Sequence, residues 1–78
     1  MCKHLNVIEI FKTNVNSKRQ ANRVLKSLYT HLPAYFVNFD LDDCDRILRV
    51  QSKNLPVDTI KVIQIVKDHS VEINLLED

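Results

Sequence analysis

Apolar residues in this chain recur with two different periods, and the places where the period changes delimit its elements. Leu5 to Phe11 (Leu-Asn-Val-Ile-Glu-Ile-Phe) is rich in β-branched and aromatic residues and predicts a first strand. Alternation puts Ile8 and Ile10 on one face and Val7, Glu9 and Phe11 on the other. A polar stretch follows. Ser17 then stands three residues before Gln20, the spacing of a helix-starting capping box. Behind it Ala21, Val24, Leu25, Leu28 and Leu32 recur as on a helix that buries one stripe. Pro33 ends that helix, because it disfavours helical geometry at Leu32.

The period then returns to two. Tyr35, Val37, Phe39 and Leu41 face one way, and Phe36, Asn38 and Asp40 the other. Asp42-Asp43-Cys44-Asp45 supplies a polar turn, and Arg46 to Val50 comes back as a strand with Arg46, Leu48 and Val50 on one face, closing an antiparallel hairpin. Pro56 suits the first turn of a second helix, with Ile60, Ile63, Val66 and the Lys67 stem as its inner stripe and Val57 at the edge. Val71, Ile73 and Leu75 alternate in a last strand. Strand, helix, strand, strand, helix, strand predicts a single α+β domain over residues 1–78. Its expected form is a ferredoxin-like βαββαβ two-layer sandwich, a four-stranded antiparallel sheet with two helices on one face. The other sheet face is expected to expose Val7, Phe11, Phe36, Ile47 and Leu76 among Glu9, Asn38, Arg49, Glu72 and Asn74.

Composition narrows the class. With 45% apolar and 27% charged residues the chain has the makings of a folded core, not of a disordered tail. No apolar run approaches the roughly 20 residues that span a bilayer, and none resembles a signal peptide, so no membrane insertion and a cytoplasmic location are expected. Two cysteines, Cys2 and Cys44, are too few for a disulfide framework. A net charge of +1 argues against a dedicated nucleic-acid binder, and Glu9 and Glu72 oppose an RNA-reading sheet. The charge is unevenly spread: residues 1–34 carry six Lys or Arg against Glu9 alone, whereas residues 35–78 carry five basic and nine acidic side chains. The chain has no glycine, so Asn14, Asp43 and Asn54 are the expected occupants of any left-handed backbone position.

In sequence order, Asn14-Val15-Asn16-Ser17-Lys18-Arg19-Gln20 falls between the first strand and first helix. Leu32-Pro33-Ala34-Tyr35 precedes the hairpin of Phe36 to Val50, and His69-Ser70 precedes the last strand. This arrangement resembles the heavy-metal-associated domains of copper chaperones and metal pumps. That family places Gly-Met-x-Cys-x-x-Cys at the first junction, Leu-Pro-Gly-Val before the hairpin and Gly-Tyr near the last strand. The resemblance implies the same fold. It implies no metal site, because Ser17 and Gln20 stand where the two cysteines would be. A hydroxyl and an amide are poor substitutes for the thiolates that suit a soft cation. The chain thus resembles a degenerate member lacking the Cys-x-x-Cys motif.

The remaining chemistry is thin. The expected fold gathers Lys12, Asn14, Ser17, Lys18 and Arg19 on the rim that also holds the hairpin turn, His69 and Ser70. Lys18 and Arg19 lie in the first helical turn, where positive charge is locally unfavourable, so this surface is a candidate for an anion or an acidic partner. Cys44 with His69 is a weak metal candidate, since two ligands seldom hold an ion alone, and Cys2 with His4, near which His31 is expected, is weak because a terminus commonly frays. Asp40, Asp42, Asp43 and Asp45 crowd the hairpin tip without the spacing of a calcium loop. No nucleophile has an adjacent base, and no glycine-rich loop could hold a phosphate cofactor. The expectation is a non-enzymatic binding domain, without cofactor, that acts through a protein partner or as a homodimer. Residual metal binding through Cys2, Cys44 or a histidine is one alternative, and a small-ligand regulatory domain is the other.

Overall fold

The computed structural model describes residues 7–76. Along them run β1 (Ile8–Thr13), α1 (Lys18–His31), β2 (Phe36–Asp40), β3 (Ile47–Gln51), α2 (Thr59–Lys67) and β4 (Ile73–Leu75). The strands form one sheet in the order β2-β3-β1-β4, every neighbouring pair antiparallel. The helices pack against each other and share a core with the sheet, giving the ferredoxin-like α+β sandwich. β2 and β4 are therefore the edges. Leu5 and Asn6, assigned above to the first strand, lie outside the described residues.

Both helix starts are set by side-chain caps. Ser17 has an extended backbone (φ −148°), and its hydroxyl accepts the Gln20 N–H at 3.2 Å. The Gln20 side chain in turn accepts the Asn16 N–H at 3.1 Å, so two otherwise free donors are satisfied. Ala21, Val24 and Leu28 are buried as the periodicity requires, and the helix ends at Leu32. α2 starts later than expected. Asp58 is its N-cap and accepts the Lys61 N–H at 3.1 Å, which leaves Pro56 in the preceding connection. Its inner stripe is Val62, Ile65 and Val66, while Ile60 is 72% exposed and Lys67 is also exposed. The segment is β-branched nearly all round, so hydrophobicity alone did not single out a face. Packing against the shared core did, by burying Val62, Ile65 and Val66.

β1 also faces the opposite way from its sequence expectation. Phe11 is fully buried beside its cross-strand partner Leu48, and Glu9 stays on that helix-covered side opposite Val50. Ile8 and Ile10 look out instead. The strand runs on to Thr13, and Phe11, Thr13 and Val15 alternate as one buried series that includes the aromatic ring. A one-residue change of phase would expose all three, so their combined burial decides the face. The open face therefore consists of Ile8, Ile10 and Lys12 from β1, Phe36, Asn38 and Asp40 from β2, Ile47, Arg49 and Gln51 from β3, and Asn74 from β4, with Leu76 beyond it. Ile47 lies there as expected but is only 8% exposed.

The left-handed positions are not those expected. Among the described residues the positive φ values belong to Arg46 (47°) and Ser70 (62°), and not to Asn14, Asp43 or Asn54. Arg46 is held by its N–H to the Asp43 carbonyl and by its guanidinium to the Leu41 carbonyl. Ser70 follows α2, with its N–H on the Lys67 carbonyl, where helices commonly end on glycine. The Asn14 and Asp43 side chains are instead used as hydrogen-bond acceptors.

Candidate functional site

The junction between β1 and α1 is a structural knot. The Thr13 hydroxyl donates to the Arg46 carbonyl at 2.6 Å and accepts the Val15 N–H at 3.3 Å, and the Thr13 N–H bonds to the Asp45 carbonyl. Asn14 exchanges two bonds with Glu72: its N–H donates to the Glu72 carbonyl at 3.2 Å, and its Oδ1 accepts the Glu72 N–H at 3.0 Å. The junction, the hairpin turn and the α2–β4 loop are thereby tied together at one end of the sandwich. Thr13 was not among the candidate residues, although its phase with Phe11 and Val15 is visible in the sequence.

The five candidates of the junction separate by role. Asn14 and Ser17 are engaged in bracing and capping. Lys12 sits on the open sheet face, with its ammonium 3.8 Å from Asp45, both groups substantially solvated. Lys18 instead lines a groove on the helix side, and Arg19 is exposed in the first turn of α1. Lys12 and Lys18 thus open onto different surfaces.

The metal candidates also part. The potential ligand atoms of Asp43, Cys44 and Asp45 lie within 4.8 Å of one another. Their closeness follows from the turn itself, because Asp43 Oδ1 accepts the Asp45 N–H at 2.9 Å. Cys44 is an exposed free thiol, and His69 is not part of that group. His31 has Nδ1 2.9 Å from the Ser27 carbonyl at the end of α1. Cys2 and His4 lie outside the described residues.

Two surfaces emerge, the open sheet face that strand alternation anticipated, though with the other face of β1, and a groove that residue chemistry alone did not single out. On the open face, β-pairing sets Phe36, Gln51 and Ile8 in one row and Asn38, Arg49 and Ile10 in the next. Phe36 is 59% exposed, and Ile8 and Leu76 are each nearly half exposed. On the helix side, a groove of about 380 Å³ runs between α1 and the β2 edge, lined by Lys18, Ala21, Asn22 and Leu25 and by residues 38–42. Its signal in the sequence is the helical row of Lys18, Asn22, Leu25 and Tyr29, which becomes meaningful only once β2 is known to be the outer strand. No helix among the described residues is long and apolar enough to cross a membrane. No protein-family model, curated protein or solved structure matches this chain.

Proposed function

We propose that this chain is a non-enzymatic binding domain that engages a protein surface, a second copy of itself or another chain, through the open face of its sheet. The observation that carries the reading is that Phe36, Ile8 and Leu76, large apolar side chains, are left exposed on one sheet face, Leu76 beside Ile10 and Phe36 across Gln51 from Ile8. Single exposed apolar residues are ordinary, but several on one open sheet face favour association. Lys12, Arg49 and Asp40 on the same face give it charges of both signs, which suits a polar-rimmed protein interface. The likeness of the sequence to heavy-metal-associated domains supports binding over catalysis, and the residues at its two cysteine positions, Ser17 and Gln20, form a helix cap.

Light scattering over a range of concentrations, together with affinity capture of bound proteins, tests the proposal. Replacing Phe36 and Ile8 together by lysine should abolish self-association or release the captured partner while leaving the fold intact by circular dichroism. Unchanged association in that variant would refute the role of the open face. Native mass spectrometry with zinc or Cu(I) separates this reading from metal trafficking, for which stoichiometric uptake lost in Cys44→Ser or Cys2→Ser would be required.

A further inference from the structure

The two edges of a sheet carry main-chain donors and acceptors that no neighbouring strand satisfies, and proteins usually cover or block them. On β2 the cover is partial. The Tyr29 hydroxyl donates to the Val37 carbonyl at 3.0 Å and accepts the Val37 N–H at 3.4 Å, so the polar groups of Val37 turn away from β3 and are capped by α1. In an antiparallel ladder, alternate residues turn these groups to the same side. Phe39, two residues on, therefore presents its N–H and C=O to the same outer edge, beyond the reach of Tyr29.

The groove between α1 and β2 begins where that cover ends. Five consecutive residues, 38–42, line it. Residues 38–40 belong to β2, where successive side chains point to opposite faces, so this part of the wall includes the main chain itself. Opposite stand Lys18, Ala21, Asn22 and Leu25, with Leu25, Phe39 and Leu41 all half-buried against the core. We propose that this groove and the adjoining edge of β2 form a strand-addition site for an extended peptide segment that alternates apolar and basic residues.

The alternation follows from the two faces of β2. An added strand would turn every second side chain toward the helices, onto Leu25, Phe39 and Leu41. Its other side chains would lie beside Asn38 and Asp40, on the open-face side of the sheet. Among the described residues the ion pair is Lys12 with Asp45, which leaves Asp40 and Asp42 without a cation within pairing distance. Opposite charge across neighbouring strands is favourable, so basic side chains fit there. A second copy of β2 fits less well. A two-fold pairing centred on Asn38 would set Val37 of each copy against Phe39 of the other, and Tyr29 already holds the groups of Val37. The site is separate from the apolar open face, and either can fail without the other.

The test uses the ¹⁵N-labelled chain and two pools of end-capped heptapeptides. Both pools vary Leu, Ile, Val and Phe at alternate positions, with Lys between them in one pool and Glu in the other. At about 1 mM the Lys pool should shift the amide signals of Lys18, Leu25, Phe39, Leu41 and Asp42 and slow exchange at the Phe39 amide. The Glu pool should bind about threefold to fivefold more weakly, and Asp40→Lys/Asp42→Lys should reverse that order. Backbone N-methylation of the Lys pool should weaken binding about tenfold or more, since it removes the ladder donors. The proposal is overturned if neither pool shifts these signals, if the shifts fall on Ile8, Phe36 and Arg49, or if the N-methylated pool binds equally well.

Discussion

Replacing Thr13 by valine removes one hydroxyl and changes the side-chain shape very little, which isolates what the junction owes to hydrogen bonding. That hydroxyl donates to the Arg46 carbonyl and accepts the Val15 N–H, and Thr13 is 8% exposed. Val15 is fully buried, so its N–H would lose its partner without gaining water. Leaving a buried polar group unsatisfied costs about 1–3 kcal/mol. The Val15 N–H and the partly buried Arg46 carbonyl together then cost about 3 kcal/mol, reduced by up to about 1 kcal/mol through the higher strand preference of valine. The expected loss is about 2–3 kcal/mol, out of roughly 4–12 kcal/mol for a chain of this length.

Urea and thermal denaturation measure that loss directly. The melting temperature should fall by about 10–20 °C with an unchanged denaturant slope. Thr13→Ser is the control: it keeps the hydroxyl and gives up one methyl group, about 1 kcal/mol. A Thr13→Val variant as stable as the native chain, or more stable than Thr13→Ser, would refute the claim that this hydroxyl ties the junction to the hairpin.

Four further outcomes follow from the backbone and its caps. Ser17→Ala should cost about 1 kcal/mol by freeing the Gln20 N–H, read as a lower urea midpoint. Ser70→Gly should raise stability by about 0.5–1 kcal/mol, because glycine adopts its φ of 62° without a Cβ clash. Arg46→Gly should gain less than that, since it also removes the guanidinium bond to Leu41. Tyr29→Phe should uncap Val37 on the outer strand, costing about 1 kcal/mol and raising concentration-dependent association by light scattering.

The junction shows how local and long-range information divide. Ser17 and Gln20 form their cap because a hydroxyl and an amide at that spacing meet across one helical turn, wherever the helix lies. Asn14 offered no comparable signal. Its value comes from Glu72, which the fold brings within 3.0 Å across 58 positions of chain. The absence of glycine pointed to asparagine and aspartate for left-handed turns, yet Arg46 and Ser70 take them, because neighbouring elements fix the path there. The groove was invisible for the same kind of reason: Leu25 and Phe39 form its walls only when α1 lies along the outer edge of β2.

By itself the sequence determined the order of six elements, the cap of α1, its buried stripe at Ala21, Val24 and Leu28, and the inward faces of β2, β3 and β4. These depend on spacing and on alternation within a few residues, which the chain carries locally. Tertiary structure decided which face of β1 and which stripe of α2 went inside. Both segments are apolar on more than one side, so only the joint packing of Phe11, Val15, Val62 and Val66 against the rest of the core could choose. It also decided which surfaces were left over, the open sheet face and the β2 edge, because an exposed side chain is defined by what the whole fold fails to cover.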